Sequence, residues 1–471
     1  MERQARMHCA ALTIATISMV LPVVALAQEG KDDAGSGIPE SSIARNFADN
    51  LDANGRRAAL AGRGITYGFN YAGEVFGVAS GGIRRGSHFF GQLEGVVDVD
   101  FEKLSGLTGL KFHMSAQQLH GRGISATHVG ILDPVSNIEA TPTTRLIDLW
   151  FERDLVKDKL SIRAGQMRID ADGEFLNAPN AGLFLTTSFG WPAFMAVNLP
   201  NGGVSYPLAA LGARVKYTPN ENVSWLTAVV NDDPAGPCDG DAQVCNRHGL
   251  NFRLKDNPFI ISELQVKYGS AKQPGLLPGL VKLGAFVDFA KFDDQRFGTD
   301  GRSLADPLSN GIARQHARNY GVYGVIDQQI YRSARPGAGE TDGVHWFGRV
   351  AGLPSDLNLV SYSFDTGVRF VGMVSGRPND EFGFAAAYNR ISSRVSGFDS
   401  DAIALAGAVE PIRSGEAVAE FTYKAQIAKG WFLQPDLQYV WQPGGKAADP
   451  ANPAKPIPDA VVLGVRTIVT Y

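Results

Sequence analysis

The last eleven residues of the chain sort into two faces. From 461 to 471 the odd positions are Val461, Leu463, Val465, Thr467, Val469 and Tyr471, while Arg466 and Thr470 fall between them. A period of two with apolar residues on one side describes a strand with one face in an apolar medium and the other in water. The same alternation recurs upstream. Residues 91 to 101 set Leu93, Val97, Val99 and Phe101 against Gln92, Glu94, Asp98 and Asp100. Residues 417 to 427 set Ala419, Phe421, Tyr423, Ala425 and Ile427 against Glu420, Lys424 and Gln426, and 431 to 441 set Leu433, Leu437, Tyr439 and Trp441 against Gln434, Asp436 and Gln438.

Strands are expected at 66–77, 88–101, 109–119, 144–154, 160–169, 209–217, 223–231, 250–268, 280–292, 319–331, 344–352, 361–374, 382–391, 415–427, 432–441 and 460–471. That is sixteen, an even number that returns both chain ends to one side, although a break at Asn257-Pro258 would change the parity. Short polar turns near 102–108, 155–159, 218–222, 375–381 and 428–430 alternate with long Gly/Pro/Asp-rich segments at 120–143, 170–208, 232–249, 293–318, 392–414 and 442–459. A soluble sandwich would need a second layer, and a single amphipathic helix near 45–62 does not supply one. The pattern therefore predicts an all-β fold, a transmembrane antiparallel β-barrel of 16 strands with short periplasmic turns and long extracellular loops.

One stretch tests that reading. Residues 175 to 213 carry no charged side chain, yet Pro179, Pro192, Pro200 and Pro207 with Gly202-Gly203 rule out a spanning helix. The stretch reads as a long loop running into the next strand. A barrel of this size encloses an aqueous lumen, so residues 170–208 are the candidate pore-constricting loop.

Composition narrows the class. With 44% hydrophobic and 20% charged residues and a mean hydropathy of -0.08, the chain is not a disordered tail protein. A net charge of -4 with mixed signs gives no footprint for a nucleic-acid partner. Arg3 and Arg6, an apolar run from Ala10 to Val24 and the small residues Ala25-Leu26-Ala27 have the layout of a secretory signal peptide over 1–27, cleaved near Ala27. Residues 28–65 are then an N-terminal periplasmic segment with a short helix, and 66–471 the barrel, in the outer membrane of a Gram-negative bacterium. Cys238 and Cys245, seven residues apart in a Gly/Asp loop of an exported chain, are expected to form a disulfide. Neither a metal nor a cofactor is expected, since His248 beside the cysteines is too few ligands. Asp170-Ala171-Asp172-Gly173-Glu174 reads as a turn, not a calcium loop.

Five short motifs carry a resemblance. Arg163-Ala164-Gly165-Gln166, Gly182-Leu183-Phe184-Leu185, Ser188-Phe189-Gly190-Trp191-Pro192, Tyr206-Pro207-Leu208-Ala209-Ala210-Leu211-Gly212, and Leu433-Gln434-Pro435-Asp436-Leu437-Gln438-Tyr439 followed by Pro443-Gly444-Gly445 stand in order along residues 56 to 471. Together they resemble the carbohydrate-selective porin family, the OprB-like outer-membrane channels. The resemblance implies a sixteen-stranded barrel that passes monosaccharides such as glucose down their gradient through a narrowed, arginine-containing eyelet. It implies sugars as solutes, outer-membrane lipid as surroundings and no nucleic acid; monomer and trimer both remain open.

A channel for neutral sugars needs donors and acceptors that replace water around hydroxyls, and flat faces for the ring. Parity places Glu94, Asp98, Lys111, Asp148, Glu152, Arg163, Lys282, Asp288, Arg349, Asp365, Arg369, Glu420, Lys424 and Arg466 on the inner face. Trp150 shares it, and Trp191 lies in the uncharged loop. These are the expected pore-lining residues; taken one at a time, each charge could equally be a cross-strand salt bridge and each tryptophan a packing residue. Tyr439, Trp441 and Tyr471, near strand ends on apolar faces, read as interfacial anchors. The competing readings are a general small-solute porin, a soluble sugar-binding sandwich and an outer-membrane hydrolase. For the last, His113 and Ser115 are the best available pair, and neighbours two apart on one strand are poorly arranged for proton transfer. No enzyme, and no catalytic residue, is expected.

Overall fold

The computed structural model describes residues 37–269 and 275–471; the expected signal peptide lies outside the described residues. In chain order the barrel strands begin with β1 (Ile65–Ser80), β2 (Gly86–Asp100), β3 (Leu110–Gly121), β4 (Thr143–Val156), β5 (Leu160–Met167), β6 (Ala210–Asn220), β7 (Val223–Asn231), β8 (Pro258–Tyr268) and β9 (Gly279–Asp288). A small hairpin, β10 (Phe292–Gly298) and β11 (Ala313–His316), interrupts them. The wall resumes with β12 (Asn319–Arg332), β13 (Gly343–Gly352), β14 (Val360–Val371), β15 (Glu381–Ile391), β16 (Gly415–Ala428) and β17 (Trp431–Trp441). A second loop hairpin, β18 (Ala448–Asp449) and β19 (Asn452–Pro456), precedes the last strand, β20 (Ala460–Thr470).

The sixteen wall strands pair antiparallel in sequence order, and β20 closes on β1 from Asn70↔Thr470 to Ser80↔Val461. This is one closed sheet, not a two-layer sandwich. Burial is inside out. On β20, inward Val462 and Arg466 are buried while outward Leu463 and Val465 are 51% and 44% exposed. Outward Trp225, Val322 and Phe384 are exposed in the same way. A continuous exposed apolar wall is stable only where the surroundings are themselves apolar. No helix among the described residues is long and apolar enough to cross a membrane, so the strands are the spanning elements.

Three expectations need correction. The strand expected at 250–268 begins only at Pro258: Asp256 accepts from Asn231 Nδ2 at 3.0 Å and from Arg253 Nε at 2.8 Å, which pins the preceding residues by side chains instead of a ladder. The strand expected to reach 292 stops at Asp288, whose carboxylate accepts from Ala290 N at 2.8 Å and turns the chain away. Within 392–414, read as irregular, residues Ser393–Ala406 form a helix with Ser392 Oγ accepting from Val395 N and Gly407 ending it at φ 69°.

The amphipathic segment at 45–62 is not continuous. It forms two single turns, Ile43–Asn46 and Ala48–Leu51, then a helix Arg56–Gly62. Asp52 accepts from the amides of Arg57 and Ala58, and Gly55 takes a left-handed φ of 61° that a helix interior would not allow. Arg57, 3% exposed, stands 4.9 Å from the ring of Tyr67 and 4.6 Å from that of Tyr471, over the seam where the barrel closes.

Candidate functional site

Two long loops, 122–142 and 168–209, fold inward and are tied to the inner face by the charges that parity places there. Glu420 on β16 accepts from Leu185 N at 2.6 Å and Thr186 N at 2.9 Å. Arg349 on β13 donates to Leu176 O, Ser188 O and Gly190 O and pairs with Asp365 at 2.8 Å. Lys282 on β9 donates to Gly173 O at 2.9 Å and Glu174 O at 2.8 Å and stands 3.4 Å from Glu263. Arg369 on β14 donates to Asn180 Oδ1 at 3.2 Å and pairs with Glu381 at 2.6 Å. The 168–209 segment starts after β5, so reaching β13, β14 and β16 carries it across the lumen. The other loop is held alike: Arg466 pairs with Glu74 and donates to Asn137 Oδ1 at 2.6 Å. The two loops also bond to each other, with Asn137 N donating to Leu185 O at 2.7 Å and Ser188 Oγ to Asp133 at 2.7 Å.

An apolar core sits inside the barrel as a result. Phe184, Phe189 and Phe347 pack with ring centroids 5.1 to 6.2 Å apart, joined by buried Phe175, Leu176, Leu183 and Phe194. The stretch without charges is what lets that core form. Burial has an electrostatic cost in the loops. It pushes the Asp133 carboxyl up to about 7 and that of Asp170 up to about 6, despite Ser188 and Arg168 pulling the other way.

The remaining inward charges form two groups. On the β4–β6 wall, Glu152 lies 2.9 Å from Arg163 and 3.2 Å from Arg214, and Glu174 from the loop closes the set at 2.6 Å from Arg214. Asp148 is buried under Arg168 at 2.7 Å. Glu94 accepts from Asn70 and Gln117. Toward the turn side, Asp98 holds His113 at 2.7 Å, Lys111 stands 3.5 Å from Asp154 with its side chain 57% exposed, and Lys424 Nζ lies 4.6 Å over the ring of Phe432. Asp288 takes no part in either loop anchor; it caps the loop end of β9.

Neither tryptophan offers a free face. Trp150 has the Arg163 guanidinium 3.8 Å from its ring and stacks on His113 at 4.7 Å. Trp191, 4% exposed, donates Nε1 to Gly202 O within its loop. The His113–Ser115 pair is likewise engaged elsewhere, His113 with Asp98 and Ser115 with Asp148. Cys238 and Cys245 are joined by a disulfide.

Several residues that matter here were not among the expected lining residues. Arg214, Glu263, Asp327, Glu381 and Glu416 occupy inward positions that the period-two rule extended to every strand would have included, and Gln434 and Asp436, read on the polar face of their strand, were not named as lining. Asp327 accepts from Asn180, Glu416 from Leu132 N and Gln434 donates to Leu183 O, so each anchors a loop. Glu174 and Arg168 lie in the loop itself, where parity has no meaning.

A sixteen-stranded closed barrel with an apolar outer wall, a polar inner face and loops tied across its lumen defines a porin. The model of the carbohydrate-selective porin, OprB, family matches residues 84–471, and the chain belongs to that family. It is 24% identical over 420 residues to Porin B of Pseudomonas aeruginosa, covering 84% of this chain and 86% of that one. A solved structure of Pseudomonas putida OprB at high pH superposes with a TM-score of 0.77 at 20% identity, covering 89% of this chain and 97% of the other; the low-pH structure of the same protein gives 0.53 at 16% identity. Membership puts the protein among the porins, channels of the Gram-negative outer membrane.

Proposed function

We propose that this protein is a passive, size-limited diffusion channel for monosaccharides such as glucose. The observation that carries the reading is the 168–209 loop, anchored on the far wall by Glu420 and Arg349, which reduces the section open to solute. What is left bears paired charges of both signs, Glu152 with Arg163 and Arg214 on one wall and Arg369 with Glu381 on another. Such pairs present donors and acceptors to hydroxyls without a strong net field for ions, which suits a neutral solute. Of the inner-face residues, those not held beneath the loops, Glu152, Arg163, Arg369, Lys424, Asp98 and Lys111, line its path, and their polar groups take the place of water around the sugar. Passive diffusion requires no chemistry. Liposomes carrying the purified protein should swell rapidly in isosmotic glucose and slowly in a much larger oligosaccharide. Equal rates in the two solutes would remove the size limit and leave a general porin.

A further inference from the structure

On the long-loop side of the barrel two strands finish beside aspartates that face each other. Asp288 ends β9, and Asp232 follows the last residue of β7, with the single strand β8 between them. Asp288 is 0% exposed and Asp232 3%. Asp288 Oδ1 accepts from Ala290 N at 2.8 Å, but Asp288 Oδ2 and Asp232 Oδ1 are sealed from solvent and accept no hydrogen bond. The two carboxyl groups stand within hydrogen-bonding reach of one another. A charged oxygen taken from water and given no donor is among the most costly arrangements in a folded chain.

The neighbourhood deepens the negative potential. Asp233 and Asp256 both act on Asp232, and Arg253 is already paired with Asp256 at 2.6 Å. A cation held between the two oxygens would satisfy both.

We propose that Asp232 and Asp288 bind a calcium ion that ties the 232–257 loop to the start of the 289–318 loop. Among the described residues no third His, Cys, Asp or Glu is placed to complete a metal site, so the remaining ligands must be amide or main-chain oxygens and water. An all-oxygen set with two carboxylates suits a hard cation and excludes a thiolate or imidazole metal. Calcium fits better than magnesium, because it accepts irregular coordination and protein carbonyls where magnesium demands a near-regular octahedron. The site faces the cell exterior, where affinities in the ~0.1–1 mM range are the usual regime for such modules.

The test uses the full-length protein, purified in detergent and stripped with a chelator. Titration calorimetry with calcium chloride should show one saturable site, and calcium should raise Tm by a few degrees. D232N and D288N each relieve the repulsion and should fold, yet weaken binding at least about tenfold and lose the calcium-dependent shift. E410Q, at an exposed position in a different loop, should keep both. No saturable heat and no shift in the unmutated protein would overturn the proposal, as would a shift of equal size in D288N. So would a calcium-independent Tm that falls between about pH 5 and 8 only while Asp288 is present, the signature of a proton shared by the pair.

Discussion

Arg349 donates to three main-chain carbonyls of the 168–209 loop and pairs with Asp365, both side chains being almost fully buried. Removing one member of such a buried pair typically costs about 3–5 kcal/mol, against about 0–1 kcal/mol for an exposed pair like Lys111 with Asp154. Position along the lumen, not charge, thus decides which residues hold the loops and which only meet solvent. Asp133 is the loop residue where this becomes a pH effect. Its folded-state carboxyl titrates near 7 because of burial, whereas an unfolded aspartate titrates near about 4. The stability tied to its neutral form is fully present below about pH 4 and is lost as pH rises through about 7. Asp133→Asn keeps an oxygen for Ser188 Oγ and never ionises. The Tm of the unmutated protein should therefore fall more steeply between about pH 5 and 8 than that of the variant, by an amount bounded at ~4 kcal/mol. Parallel slopes would show that Asp133 is not buried as described.

At the level of elements, the wall was legible and the lumen contents were not. The sixteen wall strands were each expected, with β8 and β9 drawn too long, because a wall between lipid and polar lumen forces every second residue to one side. Arg349, Glu420 and Lys282 lie inside the barrel, at positions parity assigns to the inner face. Parity could not say what they touch, because their partners are Leu185 N, Ser188 O, Gly173 O and similar main-chain groups that every residue type possesses. The helix at Ser393–Ala406 shows a different gap. Ser392 and Gly407 are ordinary capping residues, but Ser396, Gly397 and Ser400 between them lower helix propensity enough to mask the signal. The 168–209 loop is the element on which the size limit depends. Replacing its inward span, residues 175–190, with a short Gly/Ser turn should raise the oligosaccharide size at which liposome swelling stops. Glu420 and Arg349 would take water as their partner in the widened lumen, while Lys282 would keep Gly173 O and Glu174 O. An unchanged cutoff would assign the narrowing to the 122–142 loop or to the wall.

For the molecule as a whole, the arrangement of inner charge governs which solutes pass. The barrel is inverted relative to a soluble protein, so its inward ion pairs sit within a low-dielectric wall, where fields are focused. Arg349 belongs to the loop anchors and would report on stability as much as on conduction if removed. Arg163 and Arg369 are better probes, since they stand on opposite parts of the wall, at β5 and β14, and their carboxylates keep other partners. Glu152 and Glu174 retain Arg214 at 3.2 Å and 2.6 Å, and Glu381 retains the field of Lys424. The double variant R163A/R369A should fold, remove two positive charges and leave three carboxylates undercompensated. The zero-current potential of a single channel in a salt gradient should then move toward cation selectivity, while glucose swelling changes less because the solute is neutral. A potential that does not move would place both arginines off the conduction path and shift the polar lining to Asp98, Lys111 and Lys424 near the turn side.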